Sequence, residues 1–447
     1  MSQLTGRRVT VMGLGRHGGG VAAARWLACQ GARVTVTDLA SAGDLQSSLA
    51  ELSPLKIEKL ALGGHQPQDF DGAEIVVVNP AVRPGHRLVE QARVRGAQIT
   101  SEIELLLERC EARVIGVTGS SGKSTTASMI AAILAADGRT AFLGGNIGRS
   151  LLSDLEGMTK RDWVVLELSS FQLAYLSAHA RLPEIAVVTN CYPHHIDWHG
   201  DFAAYRRAKQ KLLVERQAPP VAVLNIHDPE LAGWRPLLSQ TPLDLTADHR
   251  LPALRLAGSH WRIAARLAAT AAEAAGCKRS SICEALASFA GLEHRLERVD
   301  SACGRAIFND SKSTSPETTI AALAAMNRPT WLIAGGQEQG ASFAALAQCI
   351  AQHAAGVVVV GEVRNRLASA IKRVTSQVRI ATCEQLGDAL EWCVENSSSG
   401  DTILFSPGCA SHDEYIDFAA RGDTFKQLVA ALRADRARNQ LRAARCE

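Results

Sequence analysis

A chain of 447 residues exceeds what one hydrophobic core usually organises, so two or three domains are expected. With 47% hydrophobic and 21% charged residues and a mean hydropathy of zero, the composition excludes a disordered or fibrous chain. A net charge of only +3, from 48 basic and 45 acidic side chains, leaves no electrostatic footprint for a nucleic-acid partner.

No apolar run approaches the roughly 20 residues that cross a bilayer, and no secretory signal precedes the first strand, so neither membrane insertion nor export is expected. The eleven cysteines are scattered, odd in number and without a CxxC pair, which argues against a disulfide framework or a zinc knuckle and fits a reducing cytoplasm. The basic stretch Arg433 to Arg445 reads as the solvated end of a last helix. A monomer is the expected state.

In chain order, residues 8–13 form an apolar strand followed by Gly15, Gly18, Gly19 and Gly20 and an alanine-rich helix to about Gln30. A second strand, 33–37, ends at Asp38, and a later one runs from Glu74 to Asn79. Strand, glycine turn, helix and strand ending in an acid is the layout of a Rossmann-like unit, expected over residues 1–108. The pattern Gly13-Leu-Gly15-Arg-His-Gly18, with an acid 20 residues after Gly18, admits three readings. They are a dinucleotide site, a tight strand-to-helix turn, and a seat for a nucleotide-sugar diphosphate.

A new strand, 113–117, enters a glycine-rich loop, and a helix begins near Lys123. Strands at 163–168, 185–190 and 221–225 complete a central phosphate-loop domain with a mainly parallel sheet over 109–297. Further strands at 306–308, 331–334, 357–360, 378–381 and 402–405, separated by helices such as 317–325 and 386–395, predict a Rossmann-like C-terminal domain over 298–447. The fold class is therefore α/β, with three domains.

The loop Gly116 to Ser124 carries the Gly-Lys-Ser core of a triphosphate-binding loop between strand and helix. Strict GxxxxGK spacing would place the first glycine at Val117, and the nearest glycines are Gly116 and Gly119. Gly119, Ser120, Ser121 and Gly122 let backbone amides face phosphates, Lys123 supplies a mobile cation, and Ser124 or Thr125 can hold magnesium. Glu167 ends a strand where a carboxylate suits a hard cation. The loop with His194, His195, Asp197 and His199 suggests zinc by residue type. It lacks a HExxH helix, however, and Pro193 and Gly200 favour a magnesium-linked catalytic loop over zinc or an inert turn. Lys209, on a helix that buries Phe202, Tyr205 and Ala208, reads as a surface lysine. Asn309 to Thr314 places a carboxylate, an ammonium and hydroxyls on one loop able to bind an anionic substrate or phosphates.

Taken together these motifs resemble the Mur ligases of peptidoglycan precursor synthesis over nearly the whole chain, most nearly the branch that adds D-glutamate. The specific pieces are Gly119-Ser-Ser-Gly-Lys-Ser-Thr125, Gly145-Asn146-Ile-Gly148, Glu167-Leu-Ser-Ser-Phe-Gln172, the His195-Ile-Asp197 loop, Tyr205-Arg-Arg-Ala-Lys209, Asn309-Asp-Ser-Lys-Ser-Thr314 and Ser406-Pro-Gly-Cys-Ala-Ser411. The resemblance implies ATP with Mg2+ or Mn2+ as cofactors. The substrates it implies are UDP-N-acetylmuramoyl-L-alanine and D-glutamate, joined through an acyl phosphate.

By the same resemblance the first domain holds uridine diphosphate near Gly15, Asp38 and Asn79. Asn146 and Gln172 match positions that meet the sugar-peptide substrate, and Glu167 and His195 match magnesium-associated residues. Lys209 matches a lysine carried as a carbamate and Lys123 the catalytic cation, with Ser124 completing the metal set. Asn225 and Asp228 resemble the adenine side, while Arg295, Asp310 and Lys312 resemble nucleotide contacts. Thr314, Gln339, Ser411 and Phe418 fall in the amino-acid pocket.

The chain departs from the family pattern at four places. Ser121 replaces an asparagine and His194 an aspartate, and the segment His260-Trp-Arg-Ile-Ala264 lacks both asparagines of a helix start. Gln339 stands where D-glutamate enzymes commonly carry lysine, so an acidic acceptor loses a full opposite charge there. The alternatives are a related ligase adding L-glutamate or another amino acid, and a nucleotide-gated interaction protein without catalysis.

Overall fold

The computed structural model describes residues 4–15, 18–214, 221–238, 243–244, 251–254, 259–300, 304–338 and 340–443. The chain separates into two compact units, Met1–Phe289 and Ala290–Glu447. The first carries two sheets and the second carries one, each flanked by helices.

The first sheet is built from β1 (Arg8–Met12), β2 (Arg33–Asp38), β3 (Lys59–Leu62), β4 (Ile75–Val78) and β5 (Gln98–Thr100), in the order β3-β2-β1-β4-β5. All its pairings are parallel. After the exposed Arg8, the central β1 and β4 are runs of Val, Ile, Thr and Met because both faces are covered, the pattern expected for a parallel sheet. Strand order reverses between β1 and β4, which opens a crevice at their carboxyl ends.

The second sheet contains β6 (Arg113–Thr118), β7 (Ala141–Gly145), β8 (Trp163–Glu167), β9 (Ile185–Val188), β10 (Val221–Leu224) and β11 (Leu243–Asp244). Its order is β11-β10-β9-β6-β8-β7, again all parallel. The helix Lys123–Ala136 leaves β6 and packs against the helix Ser259–Ala274. This packing accounts for one departure from the family pattern. Trp261, Ala264, Ala265 and Ala268 share one helical face and are all buried, so apolar packing occupies the positions where asparagines were missed.

The second unit's sheet comprises β12 (Glu297–Asp300), β13 (Ala306–Asn309), β14 (Thr330–Gly335), β15 (Ala354–Val360), β16 (Arg379–Thr382) and β17 (Thr402–Phe405). The order is β12-β13-β17-β14-β15-β16, parallel except for the antiparallel edge strand β12. The three-domain α/β architecture with parallel sheets is thus present. The sequence reading passed over β3, β5, β7, β11 and β12, which are edge or near-edge strands with weak apolar runs. Among the described residues no helix is long and apolar enough to cross a membrane.

Candidate functional site

The glycine turn after β1 is held by residues from two other strand ends. Asp38 accepts from the amides of Leu14 (2.7 Å) and Gly15 (3.0 Å) with Oδ2 and from Ala40 (2.8 Å) with Oδ1. Its carboxylate is therefore engaged by the turn after β1 and by its own Ala40 amide, an arrangement that fixes the glycine turn instead of leaving a free acid for a ribose. Asn79, just past β4, donates from Nδ2 to the Gly13 carbonyl at 3.2 Å. A β-carbon on Gly13 would lie 2.6 Å from Asn79 Cβ, so only glycine fits there. Gly15, Asp38 and Asn79 are brought together as expected, at the reversal of strand order.

The phosphate loop leaves the centre of the second sheet, between neighbours β8 and β9. Thr189 and Asn190, the two residues after β9 that precede its long loop, clamp it. Thr189 Oγ1 donates to the Ser121 carbonyl at 2.5 Å, and Asn190 Oδ1 accepts from the Ser121 amide at 2.9 Å while its Nδ2 donates to Ser121 Oγ at 3.2 Å. Ser121, the replacement for the family's asparagine, is thereby locked by an asparagine from the opposite loop. Gly119 has φ +152°, and a β-carbon there would fall 1.8 Å from Thr189 Oγ1. Gly119→Ala is expected to cost about 3 kcal/mol in strain and overpacking. The expected result is a lower thermal midpoint together with lost ADP binding by calorimetry; unaltered binding would show the clamp to be dispensable.

Lys123 opens the helix and donates from Nζ to the carbonyls of Gly119 (3.1 Å) and Ser120 (3.4 Å), so its ammonium lies back over the loop. Ser124 and Thr125 are buried beneath it. Ser120 Oγ hydrogen-bonds the Tyr205 hydroxyl at 2.8 Å, which links the loop to the helix Phe202–Gln210.

That helix overturns one reading. Lys209 is not a surface lysine: it is 1% exposed, with Nζ donating to Gly119 O (2.8 Å) and Thr118 Oγ1 (3.3 Å) and lying 4.7 Å from the Tyr205 ring centre. The helix pattern identified the buried face, but Lys209 sits four residues after Tyr205 on that same face, one turn along. Burial first and the neighbouring Lys123 second pull its ammonium well below the usual lysine range, while Glu167 and Cys191 oppose the shift. A neutral amine at this place is a nucleophile.

Glu167, at the end of β8, is 2% exposed. Its Oε1 accepts from Asn146 Nδ2 at 2.8 Å, and its Oε2 is buried without a hydrogen-bond partner. An unpartnered buried carboxylate oxygen is costly unless a cation completes it, so the residue fits a magnesium ion. Among the described residues no three His, Cys, Asp or Glu side chains gather as a metal cluster. A cation here would draw its other ligands from hydroxyls, phosphate oxygens, the His195 imidazole or a modified Lys209.

Gln172 caps its own helix, its Oε1 accepting from the Ser169 amide at 2.9 Å and the Ser169 hydroxyl at 3.1 Å. Asn225 donates from Nδ2 to the Thr189 carbonyl at 3.1 Å and leaves Oδ1 buried and unpartnered, an acceptor available to a base amino group. Asp228 is a helix cap, accepting from the amides of Glu230 and Leu231, and its Oδ2 also accepts from the Cys191 amide at 3.2 Å.

His195 has φ +53° and packs its ring 4.6 Å from Phe171 and 3.9 Å from His194. Burial first, then His194 and Lys123, push its imidazole down to about 4, so it is neutral at neutral pH with a lone pair available to a cation. The unfolded chain takes up this proton near pH 6.5 and the folded chain only near 4, so this residue's contribution to stability declines as pH falls through that window. The His195 ring carbon signal in NMR is expected to stay flat from pH 8 to 5; a midpoint above 6 would contradict the placement.

In the second unit Asp310 is 3% exposed, accepting from the Leu296 amide (3.1 Å), Ser313 Oγ (2.6 Å) and Ser406 Oγ (2.7 Å). Burial raises its carboxyl to about 6 against these bonds and the nearby Arg295. Lys312 Nζ lies 5.5 Å from the Phe418 ring centre, Thr314 is exposed and Ser411 is buried. Gln339 lies outside the described residues.

Sequence reasoning missed Arg421. Its guanidinium is buried and donates to Ser311 Oγ (3.1 Å), Ser311 O (2.9 Å), Ala410 O (3.1 Å) and Cys409 O (3.0 Å), joining the loop of Lys312 to that of Ser411. Burial lowers its pKa to about 10. The available signal was its place on the first turns of the last helix, three residues after Phe418.

Three family models match the chain: Mur ligase MurD-like, N-terminal domain, over residues 7–101; Mur ligase middle domain, over 117–247; and Mur ligase, glutamate ligase domain, over 294–409. The chain belongs to the Mur ligase family. Within the family it is MurD-like. It is 36% identical to a UDP-N-acetylmuramoylalanine–D-glutamate ligase of Symbiobacterium thermophilum, over 95% of this chain and 98% of the relative. It is 37% identical to the enzyme of that name in Roseiflexus sp. strain RS-1, over 96% and 99%. The solved UDP-N-acetylmuramate-alanine ligase MurC of Thermotoga maritima shares the fold, with a TM-score of 0.59 at 19% identity over 96% of this chain and 99% of that one.

Proposed function

We propose that the chain is a cytoplasmic ATP-dependent amide ligase that joins D-glutamate to UDP-N-acetylmuramoyl-L-alanine in peptidoglycan precursor synthesis. The observation that carries this reading is the group at the β6 and β8 ends: Lys123 on the phosphate loop, Lys209 buried against that loop, and Glu167 with an unpartnered oxygen. The full-length likeness to D-glutamate ligases supports the substrates. On this reading residues 1–108 hold the UDP-substrate, 109–297 the ATP and 298–447 the amino acid.

A carboxylate and an ammonium do not form an amide directly, because the carboxylate has no good leaving group. The muramoyl-alanine carboxylate attacks the γ-phosphate of ATP, giving an acyl phosphate and ADP, while Lys123 stabilises charge on the transferring phosphoryl oxygens. The glutamate amine then attacks the acyl carbon, phosphate leaves with the bonding pair, and a proton is lost from nitrogen. Bound Mg2+ or Mn2+ supplies further neutralisation of phosphate charge. Glu167, neutral His195, Ser124 and Lys209 are the groups that would hold it. The neutral Lys209 amine adds to carbon dioxide and releases a proton, becoming a carbamate anion, which turns a buried neutral amine into an anionic ligand.

Asn146 and Gln172 serve the sugar-peptide, and Gly15, Asp38 and Asn79 shape the diphosphate seat. Asn225, Asp228, Arg295, Asp310 and Lys312 serve the nucleotide, and Thr314, Gln339, Ser411 and Phe418 the amino acid.

One observation favours a second reading of the acceptor alone. Gln339 stands where D-glutamate ligases commonly carry lysine and brings no positive charge for a side-chain carboxylate, so an acceptor other than D-glutamate, L-glutamate or another amino acid, is the alternative. The test is phosphate release with UDP-N-acetylmuramoyl-L-alanine and a panel of D- and L-amino acids, with product mass measured. Absence of any acceptor-dependent product sinks the ligase reading. A product from L-glutamate in place of D-glutamate would correct the stereochemistry and leave the reaction standing.

A further inference from the structure

Within the first unit a cleft of about 460 Å³ opens between the turn after β4 and the helix Phe202–Gln210, walled by Asp197 to Gly200. Its charged lining is Arg83, Arg207 and Lys211 against a single carboxylate, Asp197. Lys211 is held in place by donating to the carbonyls of Ala174 (2.6 Å) and Leu176 (3.0 Å). Arg83 and Arg207 are exposed, and among the described residues neither guanidinium has a hydrogen-bond or ion-pair partner.

The walls are tied together beside the open space. Trp198 Nε1 donates to the Ala81 carbonyl at 3.3 Å and the Tyr175 hydroxyl to the Val82 carbonyl at 3.0 Å. The volume is within the range of small-molecule sites, and two guanidinium groups without carboxylates match phosphate or carboxylate oxygens.

We propose that this cleft binds a small polyanion, bearing phosphate or carboxylate groups, between Arg83 and Arg207, separately from the phosphate loop. Its occupant also acts on the candidate site. The wall Asp197 to Gly200 continues directly from His195, and Ala208 in the lining adjoins Lys209. An anion bridging Arg83, on the first sheet's turn, to Arg207, on the Lys209 helix, therefore holds the His195 segment in one place. Burial first, then Lys209, against Asp197, holds the His199 imidazole below the usual histidine range, and its Nε2 lies 2.9 Å from Ser170 Oγ. Asp197 and Lys211 are the remaining charges that face the occupant, and they cancel, leaving the two arginines to set its sign.

The experiment titrates inorganic pyrophosphate and, separately, citrate into the full chain by calorimetry, in magnesium-free buffer with ADP present at the phosphate loop. One anion is expected to bind per chain. Arg83→Gln combined with Arg207→Gln should weaken it at least about tenfold, the loss of about 1.4 kcal/mol in one charge-assisted contact. Lys123→Ala should leave the affinity within about twofold, and the His195 and His199 ring signals should move on binding. Pyrophosphate binding alone assigns phosphate chemistry, citrate alone assigns carboxylate chemistry, and both support the shared class. Binding of neither probe, equal affinity in the double variant, or loss of binding in Lys123→Ala overturns the proposal. The thermal midpoint of the double variant controls for folding. Turnover of the unmodified chain without either probe tests the ligase reading separately.

Discussion

Lys123→Ala is expected to lower phosphate release by about a thousandfold, the effect of removing one preorganised charge from a phosphoryl-transfer site. The contacts it would lose include those of Nζ to the Gly119 and Ser120 carbonyls, so the thermal midpoint of the variant is measured beside its turnover to separate a folding defect from a catalytic one. A second consequence follows from position. Lys123 is the largest charged neighbour lowering Lys209, so its loss lets the Lys209 ammonium recover part of its ordinary basicity and reduces the amine fraction. Turnover within tenfold of the unmodified chain, in an assay with UDP-N-acetylmuramoyl-L-alanine and D-glutamate, would remove Lys123 from the mechanism.

On the proposed reading, Lys209→Ala is the other large effect, expected to reduce turnover by about a hundredfold or more by deleting the carbamate that would help hold a magnesium ion with Glu167. Carbon dioxide discriminates between a carbamate and a plain ammonium. Stripping it should lower the activity of the unmodified chain, and bicarbonate should restore it, while the alanine variant responds to neither. Activity unchanged across carbon dioxide levels in the unmodified chain defeats the carbamate. The buried amine has a measurable cost: the folded state resists a proton that the unfolded state binds, so stability falls as pH drops below the ordinary lysine range. A carbamate steepens that trend, because forming it from the ammonium and carbon dioxide releases two protons that the unfolded state holds or never loses.

The local motifs were legible because each carries its own backbone requirement. The phosphate loop needs glycine at Gly119 and Gly122, with Lys123 opening a helix after an apolar strand, and these constraints lie within a few residues of one another. Glu167 was legible for the same reason, as an acid on the last residue of a buried strand. The edge strands were not legible, since short segments such as β3 and β5 gain their order from neighbours far along the chain.

What the sequence by itself determined is the class of fold, the triphosphate loop and, through family likeness, the reaction. Those follow from periodicity, glycine placement and motif order, which are local properties. The tertiary structure decided which polar groups are occupied. Asp38 is engaged by the glycine turn after β1, Lys209 is buried against the phosphate loop, Arg421 ties two loops together, and Glu167 accepts from Asn146 with one oxygen while the other is buried without a partner. These outcomes depend on partners 24, 90, 110 and 21 residues distant. Burial and charge are sums over such neighbours, and they exist only once the sheets have formed.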